Sequence, residues 1–497
     1  MTMAKRFPRG EVVVASLLAC ATSLLPLEVR ADQASQNQSK QIERANTATQ
    51  EAIEREDLLP PDAEDDALLT SKDALFGTAM PEKADPKSLK TTNGFSRFRG
   101  FVLFNPAYTY ASPSHWSRGV VRNQVEALGE VNASLHWKAS LRVDVDPVYM
   151  TSEFYPDPVR EDQRFEVLIR ETYVDTNAGD WEFRLGRQNI VWGEVVGLFF
   201  ADVVSARDLR DFILPDFQTI RIPQWAVRGE YFHGDAHLEL VWVPIATYDE
   251  IGNPGAEFYP FPPQSIPGFS TTIRSEDLPA RVVRNSNYGI RASVLRNGWD
   301  MSAFFYGSRA SFPTFYRAIT LSPLPTLEFT PRHDRIWQLG GTLSKDFGGT
   351  VMRAEAIYTA NKGYEVTRLS EPDGVVKQDT LDYIVSFDLT PFEEGRLNVQ
   401  AFQRVFFSHD EGILFERLET GISLLISTKV TPRWEPELLI IQSLNRGDRM
   451  VRPRINWYPQ QNLRISVGVD VFDGDRFGEF GRFANRDRFY AEARYSF

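Results

Sequence analysis

Cysteine is all but missing from this chain: Cys20 is the only one in 497 residues. It falls within an expected export signal, so the rest of the protein should hold no disulfide, thiol nucleophile or thiolate-bound metal. Long apolar runs are missing too. No stretch after residue 30 approaches the roughly 20 apolar residues a membrane-crossing helix needs, so any membrane residence must come from strands. Histidine is scarce, and His115, His136, His233, His237, His333 and His409 show no zinc-ligand spacing. His333-Asp334 and His409-Asp410 fall beside expected loops, but no Gly-x-Ser-x-Gly or other nucleophile context accompanies them. Asp470, Asp473 and Asp475 around Gly474 miss the EF-hand spacing and read as an acidic turn. Catalysis, metal and cofactor are therefore not expected. Basic charge is short as well, with a formal net charge of −12. The first 31 residues hold Lys5, Arg6, Arg9 and Arg30 against Glu11 and Glu28, a net +2 whose removal leaves −14. An acidic chain without a basic stripe argues against nucleic acid.

Aromatic residues are plentiful at 12%, which suits the girdles of a membrane barrel but also an ordinary all-β protein. At the amino end, Lys5, Arg6 and Arg9 precede an apolar stretch from Val12 to Leu27, and Val29-Arg30-Ala31 reads as a cleavage site. The competing reading, a lipoprotein signal at Leu17-Leu18-Ala19-Cys20, fits less well because apolar residues continue through Leu24, Leu25 and Leu27. Residues 32–94 form a polar arm expected in the periplasm. Ile42, Ala45, Thr49 and Ile53 make a faint helical stripe there, followed by Pro60-Pro61 and Glu64-Asp65-Asp66 as linker. The arm is expected to be disordered or to form a short docked helix. A helix bound to a periplasmic partner, or a plug in the barrel, is the other reading.

From residue 95 onward the pattern changes to a period of two. Leu135, Trp137, Ala139, Leu141, Val143 and Val145 alternate with His136, Lys138, Ser140, Arg142, Asp144 and Asp146. Successive strand side chains point to opposite faces, so one face is apolar and the other polar. Leu463, Ile465, Val467, Val469 and Val471 repeat the pattern against Arg464, Ser466, Gly468, Asp470 and Phe472. Segments near 352–358, 396–401 and 417–426 behave alike. Their length of about 10–12 residues is what a tilted membrane strand needs. Opposite charges at i, i+2, as in Arg353/Glu355 and Arg417/Glu419, suit a hydrated lumen. Short turns at Asn297-Gly298, Phe347-Gly348-Gly349 and Gln460-Gln461 alternate with long loops near 248–281, 310–332 and 361–377. Residues 95–497 therefore predict an all-β, antiparallel up-and-down transmembrane barrel of about 16–18 strands. Eighteen fits if the stretch near 195–218 folds inward and is not counted. The apolar faces would meet outer-membrane lipid. Phe489, Ala491, Ala493, Tyr495 and Phe497 form one face of a final strand. Phe489, Tyr495 and the terminal Phe497 resemble the signal read by the outer-membrane assembly machinery.

The segment from Leu185 to Phe212, LGRQNIVWGEVVGLFFADVVSARDLRDF, carries a closer likeness. Gly186-Arg187-Gln188 ends a strand, Trp192-Gly193-Glu194 follows, and Asp202, Arg207, Asp208, Arg210 and Asp211 come next. This resembles the Gram-negative outer-membrane barrel family known as domain of unknown function 1302, across residues 95–497. The resemblance implies an outer-membrane location and a porin-like barrel without a settled substrate. Members often accompany inner-membrane permeases of the resistance-nodulation type, which implies traffic in hydrophobic or lipid-like molecules.

The same segment supplies the candidate site. Arg184, Arg187, Gln188 and Glu194 lie at the end of a strand whose apolar partners are Trp181, Phe183 and Leu185. Residues 195–218 break the alternation, which suggests an inward-folded loop with a helical turn at Ser205–Phe212. Buried charges must be paired, so Asp202, Asp208 and Asp211 are expected opposite Arg184, Arg187, Arg207 and Arg210. One reading is a constriction that selects what passes; the other is a structural plug or rim loop. The expected function is a passive outer-membrane conduit. A structural or adaptor barrel, partnering a periplasmic protein or an inner-membrane permease, is the alternative.

Overall fold

The computed structural model describes residues 97–195, 201–260, 268–321, 323–392 and 394–497. The expected signal peptide, the polar arm and Phe199-Phe200 lie outside them. Eighteen strands form a single antiparallel sheet. The first six are β1 Arg97–Thr109, β2 His115–Asn132, β3 Leu135–Val145, β4 Phe165–Ala178, β5 Trp181–Gln188 and β6 Gln224–His233. The next six are β7 Ala236–Ile245, β8 Asn287–Arg296, β9 Trp299–Arg309, β10 Arg335–Asp346, β11 Thr350–Glu365 and β12 Val375–Leu389. The last six are β13 Gly395–Phe406, β14 Leu418–Thr428, β15 Trp434–Ser443, β16 Arg449–Gln460, β17 Leu463–Asp473 and β18 Arg488–Ser496. Each strand pairs with its sequence neighbours, and β1 pairs with both β2 and β18. Gly100 and Phe497 exchange backbone hydrogen bonds at 2.8 and 2.9 Å, which ties the seam. Closure leaves no sheet edge unpaired against hydrocarbon, the condition for a β-structure to span a membrane.

The connections alternate in length as expected. Turns of two to five residues join β2–β3, β4–β5, β6–β7 and so on to β16–β17, on the side where β1 starts and β18 ends. Asn297 and Gly298 both take positive φ, 55° and 73°, the geometry that suits a two-residue turn to the strand twist. The opposite side carries the long connections, after β3, β5, β7, β9, β11, β13 and β17, together with two of five residues at β1–β2 and β15–β16. There a three-stranded sheet of Ser270–Ile273, Thr326–Arg332 and Thr314–Thr320 packs Phe315, Leu327 and Phe329 onto Ile251.

The side-chain alternation is borne out. Leu141, Val399, Ile422, Ile426, Val467 and Phe489 face outward and are exposed, while Arg142, Asp144, Asn398, Gln400, Ser423, Asp470 and Arg488 face inward and are buried. Exposure of so much apolar surface on one side makes sense only against lipid. Tryptophans gather at both ends of this outer face: Trp116, Trp225, Trp242 and Trp337 on the loop side, Trp434 and Trp457 on the turn side.

The inner face is less uniformly polar than the alternation predicts. Phe304 and Tyr306 of β9, Ile441 of β15, Met450 of β16 and Phe472 of β17 all point inward and are buried. They are apolar because chain, not water, lies against them. Ile190, Trp192, Ala201 and Val204 cover Phe304 and Tyr306, and Leu214, Phe258, Phe480 and Phe483 cover the others.

Leu141→Arg or Val467→Arg puts a charge mid-strand on the lipid face and should each cost about 2–4 kcal/mol. Unfolding in lipid vesicles measures this. Unchanged stability in both variants would contradict the assigned orientation.

Candidate functional site

The site begins where β5 stops after 8 residues. A Cβ on Gly186 would lie 2.4 Å from the Thr172 carbonyl oxygen and 2.7 Å from Tyr173 Cα, so only glycine lets the strands close there. Gln188 is fully buried, and its amide donates to the Ala226 carbonyl at 3.1 Å, tying the strand end to β6. The chain then leaves the wall. Trp192, 1% exposed, sits against Phe304 and Tyr306 with ring centroids 5.2 and 5.7 Å away. Glu355, on the inner face of β11, accepts the backbone N–H groups of Glu194 (2.5 Å), Val195 (2.7 Å) and Ala201 (2.8 Å). The Glu194 carboxylate accepts from Thr342 of β10 at 2.7 Å and lies 3.5 Å from Arg291 of β8. The Trp-Gly-Glu motif thus carries the chain from β5 across to β8, β10 and β11.

A second run crosses back. Asp208 lies 3.8 Å from Arg142 of β3, Asp211 touches Arg118 of β2 and is 3.9 Å from Arg488 of β18. Asp216 is 3.2 Å from Arg464 of β17 and 3.9 Å from Arg454 of β16. Arg170 of β4 donates to the carbonyls of Gln218 (3.1 Å) and Arg221 (2.7 Å). Residues 189–195 and 201–223 therefore fold into the barrel, the second run resting on an arginine-rich arc of wall. Burial works against charge on Asp216, but Arg464 and Arg454 outweigh it and hold the carboxyl well below its usual range. The clamp is lost only as pH falls through that lowered value, so it is intact at neutral pH.

The expected pairings within the segment are mostly wrong. Arg184 pairs with Asp175 at 2.6 Å, Arg187 donates to the Pro223 carbonyl at 3.2 Å, and Arg207 meets Asp249 at 3.2 Å. Asp202 meets Arg221 at 2.6 Å. Of the four expected arginines, only Arg210 pairs with one of the expected acids, Asp208 at 2.8 Å, and it also reaches Glu166 at 2.8 Å and Glu250 at 3.1 Å. The reason is that neighbouring strands and the following loop present counter-charges closer than the segment's own. The expected helical turn at Ser205–Phe212 is also replaced: Ala206 and Arg207 pair with Ile222 and Arg221 as a short ladder, and a helical turn forms at Phe217–Ile220. Sequence reasoning missed Glu355, Asp216, Asp249 and the wall arginines 118, 142, 464 and 488. Their signal was the charged face of each strand, which marks them as inward but not as partners of this segment.

Between the segment and the inner faces of β9–β15 remains a cavity of about 420 Å³. Phe212 and Ile213 form one side, and Ile336, Ile357, Phe402 and Ile441 the other. Phe212 adopts φ 54°, costly for a residue with a side chain, and its ring is held by Phe483 and Phe480 at 5.1 and 5.9 Å. Four of the six histidines lie beside carboxylates: His115 by Glu257, His136 by Glu130, His237 by Glu230 and His333 by Glu276.

Residues 14–415 match the family described as Protein of unknown function (DUF1302). The chain belongs to that family. Comparison with curated proteins gives no match. Solved barrels resemble it in fold. The outer-membrane channel DcaP of Acinetobacter baumannii has 11% identity and a TM-score of 0.39, covering 82% of this chain and 99% of that one. OccAB3 of the same organism has 8% identity and a TM-score of 0.47, covering 82% and 99%. Salmonella typhi OmpF, solved with daunomycin, has 10% identity and a TM-score of 0.42, covering 81% and 97%.

Glu355→Ala leaves three buried N–H groups without their acceptor, a penalty of roughly 1–3 kcal/mol that falls on the segment and not on the barrel ladder. The variant should assemble, keep its heat-modifiable mobility, and expose the amides of Glu194, Val195 and Ala201 to hydrogen exchange. Equal protection in variant and parent would show that Glu355 does not anchor the crossing.

Proposed function

We propose that this member of the DUF1302 family is an outer-membrane channel for the passive passage of small hydrophobic or lipid-like molecules, narrowed by the inward run of residues 201–223. The observation that carries the reading is the cavity beside a clamped segment. One half of the lumen is filled, and the other keeps a space whose walls are apolar and charged by turns. The outer face, apolar and banded with tryptophan, supports membrane residence, and the side holding both sheet ends would face the periplasm. The reading needs no catalytic step. A periplasmic protein or an inner-membrane permease would supply or receive the cargo.

A second reading is favoured by how much of the lumen is packed: Trp192, Phe304, Phe258 and Phe472 lie in interior apolar clusters. On that reading the barrel is a closed structural or adaptor element for a periplasmic or inner-membrane transport system.

Planar bilayers separate the two. The parent protein should conduct, and Asp211→Asn with Asp216→Asn should raise conductance and shift selectivity toward anions, because two negative charges leave the lumen, Arg118 loses its acid, and Arg464 and Arg488 keep only Glu492 and Asp470. Lumen charges tune selectivity without disturbing the lipid face, so assembly should be normal. A barrel that stays silent, even after the double substitution, would favour the adaptor.

A further inference from the structure

The charges around the cavity do not balance group by group. Every carboxylate of the lining is engaged. Asp202 meets Arg221, Asp382 meets Arg404 at 2.5 Å, and Glu419 meets Arg446 at 3.0 Å. Asp448 accepts the N–H groups of Phe480 and Gly481, and Glu479 lies 3.4 Å from Arg482. Arg207 has Asp249. Two lining cations, Arg309 and Lys362, have no carboxylate within ion-pair distance among the described residues.

Arg309 ends β9 and spends its terminal nitrogens on neutral acceptors, the His333 carbonyl and the Asn285 side chain, each at 2.8 Å. Its Nε is buried with no partner. Lys362 sits in β11 just past a break in the pairing register, 5.6 Å from the Tyr364 ring centroid. Glu365, three residues on, is already the acceptor of the Phe315 N–H at 2.9 Å. The two cations stand one strand apart, on β9 and β11 with β10 between. Ile336, Ile357 and Phe402 line the same cavity. A buried guanidinium donor left unmade is costly, and an anion is the group that satisfies it best.

We propose that this cavity binds an amphipathic monoanion, with its carboxylate on Arg309 and Lys362 and its apolar body along Ile336, Ile357, Phe402 and Phe212. The assignment deepens the channel reading by naming the class of molecule, and takes its biological meaning from that reading. Contact with Ile336, Ile357, Phe402 and Phe212 favours an anion with an apolar body over a small hydrated one, and two unmatched cations disfavour an alkyl cation. A neutral alcohol of the same length gains only the apolar contact.

The test is calorimetric titration of the full-length protein in lipid nanodiscs with octanoate, octanol and octylammonium, against empty nanodiscs. Octanoate should bind with one site per barrel, octanol more weakly and octylammonium not at all. Arg309→Gln with Lys362→Gln should weaken octanoate by about tenfold, the loss of charge-assisted hydrogen bonds, and leave octanol as in the parent. The charge-keeping pair Arg309→Lys with Lys362→Arg should recover most of the affinity. No octanoate binding by the parent, equal binding of octylammonium, or an unaltered affinity in the glutamine variant would overturn the proposal. Conductance is read separately in bilayers. A silent barrel that binds octanoate defeats the channel and keeps the site; a conducting barrel indifferent to octanoate does the reverse.

Discussion

The meeting of three aspartates on an inward segment with arginines of the barrel wall sets the rest of this architecture. Asp208, Asp211 and Asp216 face Arg142, Arg118 and Arg488, and Arg464 and Arg454 on five strands. Charges at this depth need partners, and the wall supplies part of them itself: Arg142 holds Asp144, Arg454 Glu437, Arg464 Glu492 and Arg488 Asp470. The segment's aspartates are second partners to these and, among the described residues, the sole acid partner of Arg118. Glu355 and the interior apolar clusters hold the segment from the other side. The match of segment and wall fixes which half of the lumen is filled, and so where the remaining cavity lies.

The local backbone follows from that requirement. Because the chain must leave the wall at mid-height, β5 is short and Gly186 permits the close approach to Thr172 and Tyr173. Because it then crosses to the far side, its backbone donors need an acceptor there, and Glu355 serves three of them. Because it must turn within a packed interior, Phe212 takes a left-handed conformation that its aromatic neighbours hold in place. Interior apolar residues such as Phe304 and Phe472 are the wall's reply to a filled lumen.

Much of the barrel was legible in the sequence, because a period of two, a strand length of about ten and alternating connection lengths are local properties. Leu141 against Arg142 and Val467 against Asp470 sort to the correct faces. The strand number came out at the upper expectation once residues 195–218 were set aside as inward-folded. The Gly-Arg-Gln and Trp-Gly-Glu motifs marked the right place. What could not be read was pairing. Arg187 and Arg207 lie close in sequence to Asp202 and Asp211, but strand order around the barrel brings Pro223 and Asp249 to them instead. Arg118 and Asp211 are 93 positions apart, and only closure of the barrel joins them.

The central claim is that residues 201–222 lie within the lumen against β2 and β16–β18. Cross-linking tests it most directly, in a chain with Cys20→Ser, Arg118→Cys and Asp211→Cys, assembled in outer membranes and treated with a short bis-maleimide. The account predicts a linked peptide joining the two positions in high yield. Absence of that link, while a control pair at the registered neighbours Val451 and Val471 is captured, would place the segment outside the lumen and contradict the account.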